Sequence, residues 1–97
     1  MAVFETLTFR LKPETDEVEF RLADRAVQGD FVRDIPGFVQ RTTCRSRDWE
    51  WFVVTVWETE HEADKAKHLG ESSRVMEKFF SFIDRESSTA KRYTSLD

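Results

Sequence analysis

The sequence predicts an α+β fold: one antiparallel sheet with helices on one face, in the split βαβ, ferredoxin-like arrangement. Three observations carry this. Stretches of alternating apolar residues and stretches of helical spacing succeed one another in the order β-α-β-β-α-α-β. The helical stretches open on Ser, Thr or Asp residues able to cap them, and the first two meet Pro36-Gly37 and Gly70 at their ends. The composition is that of a folded chain: 97 residues, 39% hydrophobic and 13% aromatic, with only three Gly and two Pro. That argues against disorder and against a loop-rich scaffold.

Ala2 to Leu11 reads AVFETLTFRL, with Val3, Leu7, Phe9 and Leu11 sharing one parity as in a strand, and Pro13 ends it. Thr15 and Asp16 can cap a first helix, Asp16 forming a capping box with Glu19, and Glu14, Asp16, Glu17 and Glu19 suit the positive end of a helix dipole. Val18, Leu22 and Ala26, with Phe20, Ala23, Val27 and Phe31, extend that helix to about Asp34, with Gly29 as its weak point. Phe38 to Arg45 is a second strand and Trp49 to Glu58 (WEWFVVTVWE) a third, joined as a hairpin by Ser46-Arg47-Asp48. Thr59 caps a second helix, with Glu62 at the capping-box position and Gly70 as its stop. Ser72 or Ser73 caps a third, in which Val75, Met76, Phe79, Phe80 and Ile83 form one apolar stripe. Glu86 to Thr89 reads as a polar break and Ala90 to Leu96 as the last strand. No repeat or linker divides the chain, so one domain over residues 1–97 is expected.

The third strand is apolar on both faces: Phe52, Val54 and Val56 on one, Trp49, Trp51, Val53 and Trp57 on the other. One layer of helices covers only one of them, and a strand apolar on both sides needs cover on both. Leaving Trp51, Val53, Trp57 and Phe4 in water forgoes about 1.5–3 kcal/mol each. A second copy laid sheet to sheet about a two-fold axis is the simplest cover. The alternative is an aromatic patch half-covered by the last strand and loops.

Charge narrows the partners. With 15 Lys+Arg against 19 Asp+Glu the net charge is −4 and the pI near 5.2, which disfavours a nucleic-acid backbone as partner. Cys44 is the only cysteine, so no disulfide within the chain and no multi-cysteine zinc site is expected. With no secretory leader pattern and no 18-residue apolar run, a cytoplasmic protein without a membrane partner is expected.

The order of elements, Pro36-Gly37-Phe38 before the second strand, and Thr55-Val56-Trp57-Glu58 running into a capped helix resemble the dimeric α+β barrel superfamily. Within it, the chain is most similar to the antibiotic-biosynthesis-monooxygenase-like proteins. The resemblance spans nearly the whole chain and implies a homodimeric α+β barrel, with a ligand cleft in each subunit between sheet and helices. It also implies a hydrophobic or aromatic metabolite as ligand and, in some members, monooxygenase chemistry without a cofactor. Non-catalytic ligand-binding or stress-related modules, and pure dimerisation units, are the alternatives. The haem-degrading branch requires an Asn, a Trp and a His where this chain has Glu5, Ala66 and Met76. Haem would lack its axial ligand, so no cofactor is expected. Other relatives carry a His near Ala66, and a two-residue shift would match it to His68.

Two residues stand out for catalysis. Glu5 shares the parity of Val3, Leu7 and Phe9. Facing the interior, it would have its pKa raised by desolvation and act as a general base on a phenolic or enolic substrate; otherwise it reaches solvent or pairs with an Arg. His68 would be a cleft acid-base or hydrogen-bonding group, or else a surface residue of a lysine-rich helix. Phe9, Trp57, Phe79 and Phe80 are the candidate ligand-binding aromatics, or simply core. His61 and His68 are seven apart, which does not suit a metal pair on one helical face. Arg41, Arg45 and Arg47 would bind an anionic ligand or form a solvated hairpin countered by Asp48 and Glu50. Cys44 has no His nearby in sequence to make it a nucleophile.

Overall fold

Alternation becomes a strand only through pairing, and here the pairing is antiparallel throughout. The computed structural model describes residues 1–97. Its strands β1 (Val3–Leu11), β2 (Phe38–Arg45), β3 (Trp51–Trp57) and β4 (Ile83–Thr94) form one sheet in the order β2-β3-β1-β4. Helices α1 (Glu17–Ala26), α2 (Glu60–Gly70) and α3 (Arg74–Ser81) complete the ferredoxin-like α+β layout. The caps are side-chain hydrogen bonds to otherwise orphaned N–H groups: Asp16 accepts from Val18, Thr59 from Glu62 and Ser73 from Met76. Ser73, not Ser72, is therefore the cap of α3. α1 passes without a break into a π-helical segment, Val27–Val32, within the stretch read as one helix.

Register decides which face of each strand is buried. Phe9 sits opposite Trp51, Leu7 opposite Val53 and Val3 opposite Trp57, so these residues share the helix-facing side. Trp51, Val53 and Trp57 are all buried there. This corrects the expectation that they would lie with Phe4 on an uncovered surface. The surface turned away from the helices carries Phe4, which is opposite Val56 and Tyr93, together with Val54 opposite Thr6 and Phe52 opposite Thr8. Phe4 and Tyr93 are exposed, and Phe52, Val54 and Val56 are half-buried by their neighbours. The inner core is aromatic: Phe20 meets Trp51 edge-on at 4.9 Å and packs against Phe9, Phe79 and Phe82.

The last strand differs most from expectation. Ile83 does not belong to the stripe of α3 but opens β4, pairing with Leu11, and the supposed break from Glu86 to Thr89 lies inside the same twelve-residue strand. β4 is an edge strand, so polar residues there cost nothing by facing water. A register shift between Thr8 and Arg10 takes up the irregularity, and the Ser87 hydroxyl accepts the Arg10 N–H at 2.8 Å. The third strand likewise begins at Trp51, because Trp49 turns into the left-handed region (φ 68°) within the hairpin loop.

Gly37 sets the entry to β2. Its φ is +87°, and a Cβ there would run into the Glu62 carboxylate, which accepts the hydroxyl of the α2 cap Thr59. Gly37→Ala is expected to lower unfolding stability by about 1–2 kcal/mol in urea titrations, from left-handed strain and displacement of Glu62.

Candidate active site

Between the inner face of the sheet and the helices lies a cavity of about 580 Å³. Its apolar wall includes Leu7 and Val53 from the sheet, Val27, Phe31 and Val32 from the π-helical segment, and Ala66 of α2. The i→i+5 bonding of that segment places Val27 and Val32 on one side, both buried against the cavity. Met76, Phe79 and Phe80 of α3 complete the wall.

Across this apolar surface runs one polar row. Arg41 on β2 is opposite Thr55 on β3, Thr55 is opposite Glu5 on β1, and Glu5 is opposite Arg92 on β4. The four side chains therefore share the helix-facing side in a line across the sheet. Each end is anchored. Arg41 is held by Asp24 of α1 at 2.8 Å, with its side chain only 4% exposed, and Thr43 donates to the same carboxylate oxygen at 2.8 Å. At the other end the Arg92 guanidinium donates to Glu5 at 2.8 Å and to Asp64 of α2 at 2.7 Å. Those hydrogen bonds, to Asp64 first and Glu5 second, raise the Arg92 pKa above its ordinary value. The second Glu5 oxygen accepts the Trp57 indole N–H at 2.9 Å.

The candidate residues divide accordingly. Glu5, Trp57, Phe79 and Phe80 line the cavity together. Glu5 is the Arg-paired carboxylate rather than an isolated one, with both oxygens engaged. Phe9 does not reach the cavity: it is fully buried between Phe20 and Phe79, a core residue instead of a ligand contact. His68 is also outside; its ring is 86% exposed and lies 3.2 Å from the Glu71 carboxylate. It sits on the solvent side of α2, while Ala63 and Ala66 turn inward.

Sequence reasoning missed Arg92 altogether and grouped Arg41 with Arg45 and Arg47, as anion-binding residues or as a solvated hairpin. The signal for Arg92 was within reach: in an antiparallel pairing of the first and last strands, an Arg can fall opposite Glu5. Arg41 was hidden by the register shift between Phe38 and Gln40, which moves β2 out of simple alternation. Arg45 does remain at the hairpin, its guanidinium stacked 4.1 Å over the Trp49 ring and paired with Glu17.

No protein-family profile matches the chain, and no curated protein matches it. Solved structures do. SnoaB, a cofactor-independent oxygenase from Streptomyces nogalater, superposes with a TM-score of 0.77 at 18% identity, over 99% of this chain and 94% of that one. A single-residue variant of SnoaB gives 0.82. A Bordetella bronchiseptica protein assigned as an antibiotic biosynthesis monooxygenase gives 0.78 at 14% identity, covering 99% of this chain and 98% of the other. One from Nitrosomonas europaea with the same assignment gives 0.76 at 16% identity, covering 98% and 90%. The chain thus has the fold of the antibiotic-biosynthesis-monooxygenase-like proteins. No helix is long and apolar enough to cross a membrane.

Proposed function

We propose that this chain is a cytoplasmic, single-domain homodimer whose cavity binds a small hydrophobic, largely aromatic metabolite and that it oxygenates it without a cofactor. The observation that carries the reading is the cavity of about 580 Å³, lined by apolar side chains with the exposed charges Lys67, Glu71, Glu77 and Arg85 beside them, and crossed by one anchored charged row. Such a space suits a flat apolar body with a few fixed polar groups. The fold shared with a cofactor-independent oxygenase supports the chemistry. The second copy covers the apolar outer surface of the sheet around Phe4, Phe52, Val54 and Val56.

In this reading Glu5 is the base. A carboxylate has about four lone-pair sites, and Trp57 and Arg92 fix its orientation without exhausting them. It takes the proton of a phenol or enol, and the resulting anion gives an electron to dioxygen. The two radicals combine at a ring carbon bearing hydrogen to give a peroxide, which loses water to leave a quinone carbonyl. The substrate itself supplies all four electrons, one oxygen atom ending in that carbonyl and the other in water.

Two measurements test this. Quinones and polyphenols, screened beside flavin and haem, are expected to raise the melting temperature of the chain. A ligand at about 100 times its Kd adds about 2.7 kcal/mol of stability. No shift with any quinone or polyphenol would remove the cavity reading. With a phenolic ligand so identified, Glu5→Gln is expected to abolish oxygen uptake while leaving the dimer and ligand binding intact, because Gln keeps the shape and the Trp57 bond. Unchanged uptake removes Glu5 from the mechanism. Binding without uptake in the unaltered chain assigns it to the non-catalytic ligand-binding modules.

A further inference from the structure

We infer that Arg41 is the ligand-recognition residue of the cavity, and that the ligand presents to it an acceptor oxygen, anionic or carbonyl, at one end of an apolar body. This rests on the cavity being a ligand site, as proposed above, and adds which end of the ligand is read and by what.

The argument starts from the cost of burying a cation. A guanidinium taken out of water must be paired and hydrogen-bonded, or it destabilises the fold. The Arg41 side chain is only 4% exposed, and Asp24 answers its charge through the carboxylate at 2.8 Å and the backbone carbonyl at 3.5 Å. A guanidinium has five N–H groups in a rigid fork. The two contacts to Asp24 leave the others without a protein partner, and Arg41 lines the cavity whereas Asp24 does not. The Phe79 ring lies 5.4 Å from the guanidinium carbon and also forms cavity wall, so a bound ring would rest beside the same group. The donors are thus pre-oriented by a carboxylate behind them and open to the cavity in front. In such surroundings a charge-assisted hydrogen bond is strong and selective.

The far end of the row sets the ligand's direction. Glu5 is two strands from Arg41, roughly 10 Å at ordinary strand spacing, and its counter-ion Arg92 does not line the cavity. The cavity therefore sees a donor at Arg41, the Thr55 hydroxyl between, and an acceptor at Glu5. A ligand with its acceptor oxygen at one end and a hydroxyl donor at the other matches this polarity, and the reverse orientation sets the acceptor oxygen against the Glu5 carboxylate, which repels it. The other cations of the wall, Lys67 and Arg85, are exposed and accompanied by Glu71 and Glu77, so they offer no comparably buried and anchored donor.

The test compares two fluorescent probes that share one ring system: 8-anilinonaphthalene-1-sulfonate, which carries an anionic oxygen head, and neutral N-phenyl-1-naphthylamine. Both are titrated into the intact chain. Gly70→Phe is the cavity control. Gly70 borders the cavity, and a Cβ there meets Phe31 and Met76 at ordinary contact distances of 3.5 and 3.6 Å. Arg41→Gln is expected to weaken the sulfonate probe roughly 10- to 100-fold, as loss of a hydrogen bond to a charged group would, and to leave the neutral probe within about twofold. Because Arg41→Gln strands Asp24, the double variant Asp24→Asn/Arg41→Gln is measured alongside, with circular dichroism to verify the fold, and should show the same selective loss. Equal weakening of both probes would make Arg41 merely structural and overturn the inference. So would an unchanged sulfonate affinity, or a selective loss on Arg85→Gln instead. If Gly70→Phe leaves both probes unaffected, they do not occupy the cavity, and the functional proposal falls together with this one.

Discussion

Val54→Asp is expected to convert a dimeric chain into a folded monomer, halving the mass seen by light scattering at micromolar concentration. Val54 sits on the outer surface of β3 between Thr6 and Thr42, with Phe52 and Val56 two residues away on the same side. In a single subunit it is only half-buried, so an Asp there keeps access to water and costs about 1 kcal/mol in strand preference. In the proposed two-fold sheet-to-sheet contact an Asp from each copy would be buried against apolar surface, and two carboxylates would lie there without partners. Several kcal/mol per buried charge is the expected penalty. That weakens association by about a thousandfold or more, at 1.4 kcal/mol per tenfold. The melting temperature of the unaltered chain should also rise with concentration, and that of the variant should not. An unaltered chain that is monomeric at micromolar concentration removes the dimer from the proposal.

Phe20→Ala is expected to have the largest effect on stability. The Phe20 ring is fully buried and touches Phe9, Trp51, Phe79 and Phe82, with centroid separations from 4.9 to 6.1 Å. It joins α1 to the sheet and to α3. A Phe-to-Ala change in such a place costs about 3–5 kcal/mol. Domains of this kind have only about 5–15 kcal/mol in hand. In a chain of this length each kcal/mol is worth roughly 4–8 °C, so the melting point should fall by tens of degrees. Leu22→Ala is the control: Leu22 is 59% exposed on α1, so its loss should hardly be felt. A cost below about 1 kcal/mol for Phe20→Ala would mean that the aromatic cluster does not organise the core.

How far the sequence reaches depends on which interactions are local. The caps are: Asp16 and Thr59 each bond an N–H two or three residues on, and both helix starts were legible without a tertiary structure. Glu62 was legible as a capping partner, but its packing against Gly37, which belongs to another element, was not. The cavity was half legible. Glu5 could be placed inside by parity alone, and Trp57, Phe79 and Phe80 by apolar spacing. Phe9 obeys the same rule yet fails as a ligand contact, because parity gives the side of the sheet and not which residues on that side remain uncovered. His68 looked useful by chemistry, but the inward face of α2 is set by Ala63 and Ala66, whose small side chains let the helix approach β3.

By itself the sequence determined the element order, the ferredoxin-like α+β class and the surplus of apolar surface on the central strand, since all of these arise from periodicity and caps within short stretches. Only the tertiary structure decided which side of that strand the helices cover, that β4 runs unbroken from Ile83 to Thr94, and that Arg41, Thr55, Glu5 and Arg92 form one row. The reason is register. A shift of one residue in strand pairing exchanges the two sides of a strand, and register is fixed by partners distant in the chain, so no local pattern in β2 or β4 could reveal it.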